Sequence, residues 1–334
     1  MNFLKNTLLV VILSAVCALC LEGMTRLFLD TGMLYELEMW RYARDVKVRD
    51  MRADLGHRHR PNADAQLMGV KVTTDSRGFR SSEIPEKAPP GVARIAFVGD
   101  STTLGWGVAQ NETAAARVTA ALVAGGRKVD SYNLGVGNHN TLQELTLFRD
   151  SAAKLKPDII VLTYFINDAE PMPTYGQTSW LDEHSAAWVV FKYRLDSLMR
   201  QFGEAPDWKR YYRELYKDDA AGWQQTRKAL QGFATTAREM GAKLVVFNLP
   251  ELRELKPYPF TDVTAKVKAD VEGLGVPFFD MLPTVEKLDP ASLWVTVPDP
   301  HPNGAAMAAF TTMIVPELNT LLDGLCRDEG KGCK

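Results

Sequence analysis

Four short polar segments of the chain contain the residue types that acyl-transfer chemistry requires. Gly99–Ser101 offers a serine hydroxyl, and Asp299–His301 offers an imidazole with a carboxylate two residues before it. Between them lie a glycine-containing loop, Gly135–Asn138, and the pair Asn167–Asp168. A hydroxyl nucleophile needs an adjacent base, and the oxyanion that forms on attack needs hydrogen-bond donors. Each segment alone is common, but the set predicts nucleophilic attack on an ester carbonyl.

The elements that must position these segments alternate between strand and helix. Near-continuous apolar runs predict buried strands, and apolar residues at helical spacing predict helices. The predicted strands are Arg94–Val98, Val129–Leu134, Asp158–Phe165, Lys243–Leu249 and Val276–Asp280, and the predicted helices cover 112–123, 142–155, 223–240, 263–271 and a stretch from about Asn303 that breaks at Pro316.

This alternation predicts an α/β fold with a mainly parallel five-stranded sheet and helices on both faces. Sites on such sheets lie outside the carboxyl ends of the strands. Ser101, the loop Gly135–Asn138 and Asn167 each follow a predicted strand directly, so we expect them to meet at one edge of the sheet.

The predicted catalytic residues are Ser101, His301 and Asp299. Ser101 is the nucleophile, His301 removes its proton, and Asp299 holds the imidazole in the useful tautomer. Water then releases the acyl group from the serine. A sugar hydroxyl in place of water would make the protein an acyltransferase.

Three donors are expected to stabilise the oxyanion. They are the backbone N–H of Ser101, an N–H at Gly137 or Asn138, and the side-chain amide of Asn167. Which N–H of the glycine loop donates is left open by the sequence.

These residues resemble the sequence blocks of the SGNH hydrolases, also called the GDSL esterase/lipase family, over about 93–315. The family's nucleophile block matches at Ser101, its second block resembles Asn133–Thr141, its third matches at Asn167–Asp168, and its last resembles Asp299–His301. The resemblance implies a flavodoxin-like three-layer α/β/α fold and ester hydrolysis without a cofactor or metal.

The chain departs from the family pattern at three places. Phe165 replaces the glycine of the third block, and Asn138 occupies the usual glycine position of the second, beside Gly137. The carboxylate of Asp299 lies two residues before the histidine rather than three, and Pro298 occupies the third position.

Other polar residues near the blocks are weaker candidates. Asp100, His139 and Asp168 are expected to line the substrate pocket because they adjoin the predicted strand ends. The remaining histidines are expected at the surface: His57, His59 and His184.

The amino terminus predicts a membrane-associated, exported protein. Leu8–Leu21 is an uncharged, mostly apolar run that neighbouring apolar residues extend toward the length of a membrane span. It is a signal anchor, a cleaved signal peptide or a buried helix, in decreasing order of expectation. Lys5 precedes the run and acidic residues follow it, so the positive-inside rule places the rest of the chain on the exported side. The leader that contains Arg77–Arg80 also resembles exported, membrane-tethered members of the family.

The chain therefore divides into five predicted parts. They are the membrane helix (1–29), a leader (30–92), the hydrolase domain (93–325), a helical insertion within it (about 170–222) and a polar tail (326–334). The insertion either packs an apolar face on the sheet or forms a wall of the acyl pocket. Cys326 and Cys333 form a disulfide in an oxidising compartment, or remain free thiols on the tail.

Composition excludes one partner class and leaves several functions open. Lys plus Arg is 39 and Asp plus Glu is 41, without a concentrated basic run, so nucleic acid is not expected as a partner. A dinucleotide site is disfavoured because the loop after the second strand lacks the third glycine of that motif. The expected function is hydrolysis of acyl esters, for example O-acetyl groups of an envelope or exported glycan. The alternatives are a glycan O-acyltransferase, a lipase or thioesterase with a long acyl pocket, and a non-catalytic glycan-binding or assembly module.

Overall fold

The computed structural model describes residues 2–173, 178–202, 207–297 and 299–334. The strands are β1 (Lys47–Arg49), β2 (His57–His59), β3 (Asp64–Leu67), β4 (Val70–Thr73), β5 (Ala93–Val98), β6 (Val129–Asn133), β7 (Ile159–Tyr164), β8 (Lys243–Asn248), β9 (Phe278–Asp280), β10 (Trp294–Thr296) and β11 (Asp299–Pro302). The helices are α1 (Asn2–Met24), α2 (Tyr35–Arg41), α3 (Ser101–Leu104), α4 (Ala114–Ala124), α5 (Thr141–Leu147), α6 (Trp180–His184), α7 (Ala186–Phe202), α8 (Trp208–Leu215), α9 (Ala221–Met240), α10 (Thr261–Gly273) and α11 (Gly304–Glu329).

Five parallel strands form the central sheet in the order β6-β5-β7-β8-β9. All residues of β5 and β7 are buried, which explains why their sequences are continuously apolar rather than alternating. Successive side chains of β5 point to opposite faces of the sheet and enter two separate cores. Ala96 and Val98 lie in the first core, and Ile95 and Phe97 lie in the second.

Helices cover both faces of this sheet. Apolar residues of α5, α9 and α10 build the first core, and those of α4 and α11 build the second. The predicted doubly wound, three-layer α/β/α fold is therefore confirmed.

The last helix does not break at Pro316, so that prediction was wrong. Helix α11 is continuous through the proline, which lies on its exposed side. Phe310, Ile314, Leu318 and Leu322 lie on the opposite side and are fully buried. Burial of about 1.5–3 kcal/mol for each such side chain outweighs the roughly 3 kcal/mol that an interior proline costs.

The segment predicted as a leader, 30–92, is folded and packed onto the domain. It contains α2, the antiparallel pairs β1–β2 and β3–β4, and a small core around Tyr42. The buried guanidinium of Arg80 donates hydrogen bonds to the carbonyl oxygens of Leu104 (2.8 Å), Gly105 (2.6 Å) and Val108 (2.7 Å). The segment is thereby tied to the loop that follows α3.

The predicted insertion is helical, but its longest helix does not pack on the sheet. Helix α7 exposes Phe191, Leu195 and Leu198 and contacts the amino-terminal segment instead, through a Tyr35–Tyr193 ring contact and an Arg194–Glu36 ion pair of 3.0 Å. Residues of α8 do pack on the first core, as the first of the two alternatives for the insertion expects. Residues 174–177 and 203–206 of the insertion lie outside the described residues.

Two helices in the described part of the chain are long and apolar enough to cross a membrane. The most apolar 18-residue window of Phe3–Leu29 has a mean hydropathy of 2.3 and contains no buried residue. The corresponding window of Gly304–Glu329 has a mean hydropathy of 1.3, and this helix packs on the core. The first stretch is therefore a candidate signal anchor or signal peptide.

The carboxyl-terminal tail lies against the edge of the domain. Cys326 and Cys333 form a disulfide in the structure. The N–H of Gly332 donates to the carbonyl oxygen of Gly91 (3.0 Å), and the carbonyl oxygen of Cys333 accepts from the N–H of Lys128 (3.2 Å). These contacts hold the tail beside the beginnings of β5 and β6.

A backbone contact joins the loop after β6 to the helix that begins at Ser101. Gly135 lies directly against α3, and a Cβ at this position would overlap the backbone atoms of Thr103 and Leu104. Asn133 reinforces the contact, because its Nδ2 donates to the carbonyl oxygen of Thr103 (2.6 Å) and its Oδ1 accepts from the N–H of Gly135 (2.8 Å). Only a residue without a side chain allows this approach.

We expect Gly135→Ala to destabilise the protein by about 3 kcal/mol or more, because the added methyl group must displace buried backbone. The matched control is Gly273→Ala, where a Cβ meets nothing within 4 Å. That change is expected to raise the free energy of unfolding by at most about 1 kcal/mol, because alanine favours the helix more than glycine does. Urea unfolding of the detergent-solubilised proteins, followed by tryptophan fluorescence, measures both. A Gly135→Ala protein as stable as the parent would contradict the proposed contact.

Candidate active site

Three predicted residues form a hydrogen-bonded chain at the carboxyl edge of the sheet. Ser101 Oγ lies 2.9 Å from His301 Nε2, and His301 Nδ1 lies 2.5 Å from Asp299 Oδ1. The other carboxylate oxygen of Asp299 accepts from the indole N–H of Trp106 (2.8 Å). Because the carboxylate accepts from His301 Nδ1, the proton of a neutral His301 lies on Nδ1 and Nε2 can accept from the serine.

The environment keeps Asp299 ionised. Its side chain is buried, which alone would raise its pKa. The hydrogen bonds and the charge of His301, together with the Trp106 N–H, outweigh this effect and hold the pKa of Asp299 below its usual value. The residue at the third position before His301, Pro298, lies outside the described residues.

Ser101 is presented at the start of a short helix. Its neighbour Asp100 caps α3, since Asp100 Oδ1 accepts from the N–H of Thr102 (2.8 Å). The N–H of Ser101 donates to no group in the described part of the chain. It is therefore available beside its own hydroxyl.

Two more unsatisfied donors lie next to the serine. The N–H of Asn138 and the side-chain amide of Asn167 find no hydrogen-bond partner among the described residues, and Asn167 Oδ1 is buried in that state. Both residues line the same cavity as Ser101 and His301. This arrangement supplies three donors of the kind that stabilise an oxyanion.

The N–H of Gly137 is already engaged within the protein. It donates to Tyr42 Oη (2.7 Å), and a Cβ at Gly137 would collide with the Tyr42 ring. The hydroxyl of Tyr42 in turn lies 2.6 Å from His59 Nε2. Of the two N–H groups that the sequence offered, that of Asn138 is therefore the one without a partner among the described residues.

His57 fixes the orientation of the peptide that carries the Asn138 N–H. His57 Nε2 lies 3.0 Å from the carbonyl oxygen of Gly137, and since a carbonyl only accepts, Nε2 carries the proton. Burial and the nearby charge of Lys47 lower the pKa of His57 to about 3, so it stays neutral. In a trans peptide the C=O and N–H groups point in opposite directions, so the Asn138 N–H points away from His57.

Both His57 and His59 are buried, so the prediction that they lie at the surface was wrong. Desolvation lowers the pKa of His59, like that of His57, to about 3. The spacing His57-Arg58-His59 puts both rings on one side of β2, and this period of two is the signal that could have indicated their burial. His184 is exposed, as expected.

The structure does not bring Asp100 and Asp168 to the pocket surface. Both are buried behind it, where Asp100 caps α3 and Asp168 Oδ2 accepts from the N–H of Phe165 (3.0 Å). His139 is also buried and lines a second, larger cavity that meets the first at Asn138 and Asn167.

A third carboxyl group lies behind the site beside these two. Both carboxyl oxygens of Glu144 and Oδ1 of Asp168 are buried without a hydrogen-bond partner in the part of the chain that the structure describes. Burial, together with the charge of Asp100, raises the pKa of Glu144 well above its usual value. Burial and the charge of Glu144 do the same for the pKa of Asp168. Both effects favour the protonated form of the Glu144 carboxyl group in the folded protein.

The first cavity, with a volume of about 260 Å³, contains Ser101 and is walled by aromatic rings. Its Tyr, Trp and Phe residues are Tyr35, Tyr42, Trp106, Phe165, Tyr193 and Tyr212. Tyr35, Tyr42 and Trp106 were not predictable from the sequence, since contacts across long chain separations carry no local motif. Phe165, which replaces the family's glycine, is part of this wall.

We expect Glu144→Gln to stabilise the fold, and the gain to increase from pH 5 to pH 8. The pKa of Glu144 is higher in the folded state than in the unfolded state. Its contribution to stability is therefore fully present below the unfolded-state pKa and is lost as the pH rises toward the folded-state pKa. The amide does not titrate, so the substitution is expected to raise the unfolding temperature more at pH 8 than at pH 5. Thermal unfolding at both pH values measures it, with the exposed Glu239→Gln as control. If Glu144→Gln changed the unfolding temperature equally at pH 5 and pH 8, the raised pKa of Glu144 would be contradicted.

The model of the GDSL-like lipase/acylhydrolase family matches residues 97–309, more than half of the chain. No curated protein matches. Among solved structures, TesA is 17% identical with a TM-score of 0.45 and covers 68% of this chain and 99% of its own. A lipase/acylhydrolase from Enterococcus faecalis is 14% identical with a TM-score of 0.44, covering 68% and 96%. A mutant of Axe2, an acetyl-xylooligosaccharide esterase from Geobacillus, is 16% identical with a TM-score of 0.45, covering 68% and 94%. The chain belongs to the GDSL-like lipase/acylhydrolase family, the SGNH hydrolases.

Proposed function

We propose that the protein is a serine esterase that cleaves ester-linked acyl groups through an acyl-enzyme on Ser101. The observation that carries the proposal is the Ser101–His301–Asp299 chain, with contacts of 2.9 Å and 2.5 Å, in a cavity that Asn138 and Asn167 also line. A hydroxyl next to a base that is itself oriented by a carboxylate is the arrangement of an activated nucleophile.

The first half of the reaction acylates the serine. His301 Nε2 accepts the hydroxyl proton while Ser101 Oγ attacks the ester carbonyl carbon. The carbonyl oxygen becomes an oxyanion that accepts from the N–H groups of Ser101 and Asn138 and from the amide of Asn167. The imidazolium then donates its proton to the alcohol oxygen, the C–O bond breaks, and the alcohol leaves.

The second half removes the acyl group. Water loses a proton to His301 as its oxygen attacks the acyl carbon, the bond to Ser101 Oγ breaks, and that proton returns to the serine. The products are the carboxylic acid and free enzyme. If a sugar hydroxyl takes the place of water, the same steps transfer the acyl group; the larger cavity that adjoins the donors gives room for such an acceptor.

The shape of the first cavity favours a short acyl group. Its volume of about 260 Å³ lies at or below the small end of ligand pockets, and aromatic rings close its walls. An acetyl or similarly short ester fits this space, whereas a long-chain lipid does not. We therefore propose an O-acyl ester of a glycan as the substrate class, and a lipase or thioesterase role is disfavoured.

We also propose that the apolar stretch Phe3–Leu29 anchors the protein in a membrane with the catalytic domain on the exported side. Its unburied apolar surface supports an anchor, and Lys5 near its start supports a cytoplasmic amino terminus. The Cys326–Cys333 disulfide fits an oxidising compartment.

We expect a fluorophosphonate probe to label Ser101 of the solubilised protein. The probe reacts with activated serines without requiring the natural substrate. Labelling is expected to vanish in Ser101→Ala and to fall by at least about 10³-fold in His301→Ala, because the hydroxyl then lacks its base. Peptide mass spectrometry locates the label, and Ser292→Ala is the control for a serine outside the site.

Absence of labelling in the folded protein would overturn the esterase proposal and favour the non-catalytic module. Labelling at Ser101 with no hydrolysis of p-nitrophenyl acetate, but with transfer to an added sugar, would instead favour the acyltransferase.

We expect His57→Ala to lower kcat for p-nitrophenyl acetate by about tenfold while KM stays within about twofold. The reason is that the Asn138 N–H remains present but loses its fixed direction. The expected decrease in kcat is therefore smaller than the roughly 10²–10³-fold decrease that follows removal of a donor. A transition-state interaction affects kcat rather than KM. Steady-state kinetics measure the change, with His184→Ala as control. A rise in KM at constant kcat would refute the positioning role.

A further inference from the structure

A second cavity of about 1120 Å³ adjoins the catalytic residues. Asn138 and Asn167 line both cavities, so the two meet at the oxyanion donors. Amide side chains and an indole ring also border it, from Asn140, Gln143 and Trp40. A group bound here is therefore within reach of an ester held at Ser101.

The amino-terminal segment supplies most of the positive charge of this cavity. Five cationic side chains line it: Arg26, Arg44, Lys47, Arg49 and Arg60. Two of these have a carboxylate partner within the protein, since Arg26 pairs with Glu22 (2.6 Å) and Arg44 with Asp45 (2.7 Å).

The acidic side chains of the cavity are already engaged. They are three, and each accepts a hydrogen bond from the protein: Glu170 from Tyr211 Oη (2.8 Å), Asp182 from Lys192 Nζ (2.9 Å) and Glu183 from Thr178 Oγ1 (2.9 Å). Of the three, only Asp182 is paired with a cation, Lys192, whereas Glu170 and Glu183 accept from neutral hydroxyl groups. Among the described residues, none of the three forms an ion pair with Lys47 or Arg60.

Lys47 and Arg60 are the uncompensated cations. They lie side by side, because Arg60 Nε donates to the backbone carbonyl oxygen of Lys47 (2.9 Å) and the N–H of Arg60 donates to the carbonyl oxygen of Val46 (2.8 Å). Neither has a carboxylate partner within 4 Å among the described residues. The ammonium of Lys47 instead donates to Asn138 Oδ1 (2.8 Å) and lies 4.5 Å from the centre of the Tyr42 ring.

Arg60 is exposed, whereas burial lowers the pKa of Lys47 to about 7. A bound carboxylate or phosphate would supply a counter-charge for both side chains and accept hydrogen bonds from them.

We infer that the second cavity binds an anionic group of the substrate, a carboxylate or phosphate carried by the glycan, between Lys47 and Arg60. This inference rests on the proposed function, for which it names the substrate class: an acylated, negatively charged glycan. Since Lys47 also holds the side chain of Asn138, the charged unit is recognised next to the loop that carries an oxyanion donor.

The test is a binding measurement that does not require turnover. Trigalacturonate, which carries carboxylates, is titrated calorimetrically into the full-length Ser101→Ala protein in detergent, beside its uncharged methyl ester. We expect trigalacturonate to bind at least about tenfold more tightly, as for one or two charge-assisted hydrogen bonds. Lys47→Gln and Arg60→Gln, each in the Ser101→Ala background, are expected to remove that preference. Lys71→Gln, an exposed lysine paired with Asp64 outside the cavity, is the matched control.

Mannose 6-phosphate serves as the phosphate probe. Tighter binding of it than of trigalacturonate, lost in the same two variants, would support the anion site and assign it to a phosphorylated glycan. Equal binding of trigalacturonate and its methyl ester, with no binding of the phosphate, would overturn the inference. So would a preference that Arg60→Gln and Lys47→Gln leave intact. Because fluorophosphonate labelling of Ser101 is independent of these titrations, failure of the anion site is distinguishable from failure of the esterase proposal.

Discussion

Hydrogen bonds from the amino-terminal segment fix the orientation of the peptide between Gly137 and Asn138, and the candidate chemistry depends on that orientation. His57 binds its carbonyl oxygen, and Tyr42 binds the N–H of the preceding peptide. Gly135 brings the same loop against the helix of Ser101. A positive φ of 66° at Asn138 completes the turn, in a conformation that asparagine tolerates better than most residues. The donors near the serine are therefore fixed before any substrate arrives, which is what electrostatic preorganisation requires.

Local sequence features predicted the central sheet and the residues at its edge. Strands such as β7 are buried on both faces and therefore appear as unbroken apolar runs, and Ser101 and Asn167 follow such runs directly. His301 was found because a histidine next to a carboxylate is a recognisable pair. The assignment of these residues to catalysis stays a prediction until the serine is tested.

Features that depend on distant contacts were not predictable. Tyr42 meets Gly137 across 95 positions of sequence, and His57 meets it across 80. Pro316 was misjudged because local propensity takes no account of the tertiary packing of α11 on the sheet. The apolar positions of α7 were assigned to the sheet, yet several of them are exposed beside the amino-terminal helix. Periodicity identifies an apolar face but not the surface that the face meets.

The amino-terminal segment has a consequence for where this protein can be divided. The family model begins at residue 97, yet Tyr42, His57 and Lys47, which contact Gly137 and Asn138, all lie before it. A fragment cut at residue 93 would retain the whole homologous region and lose the groups that shape its reactive centre. The region shared with the family is therefore smaller than the part of the chain that positions the candidate site. Exchanging only the shared region between relatives would separate the site from the amino-terminal residues that contact it.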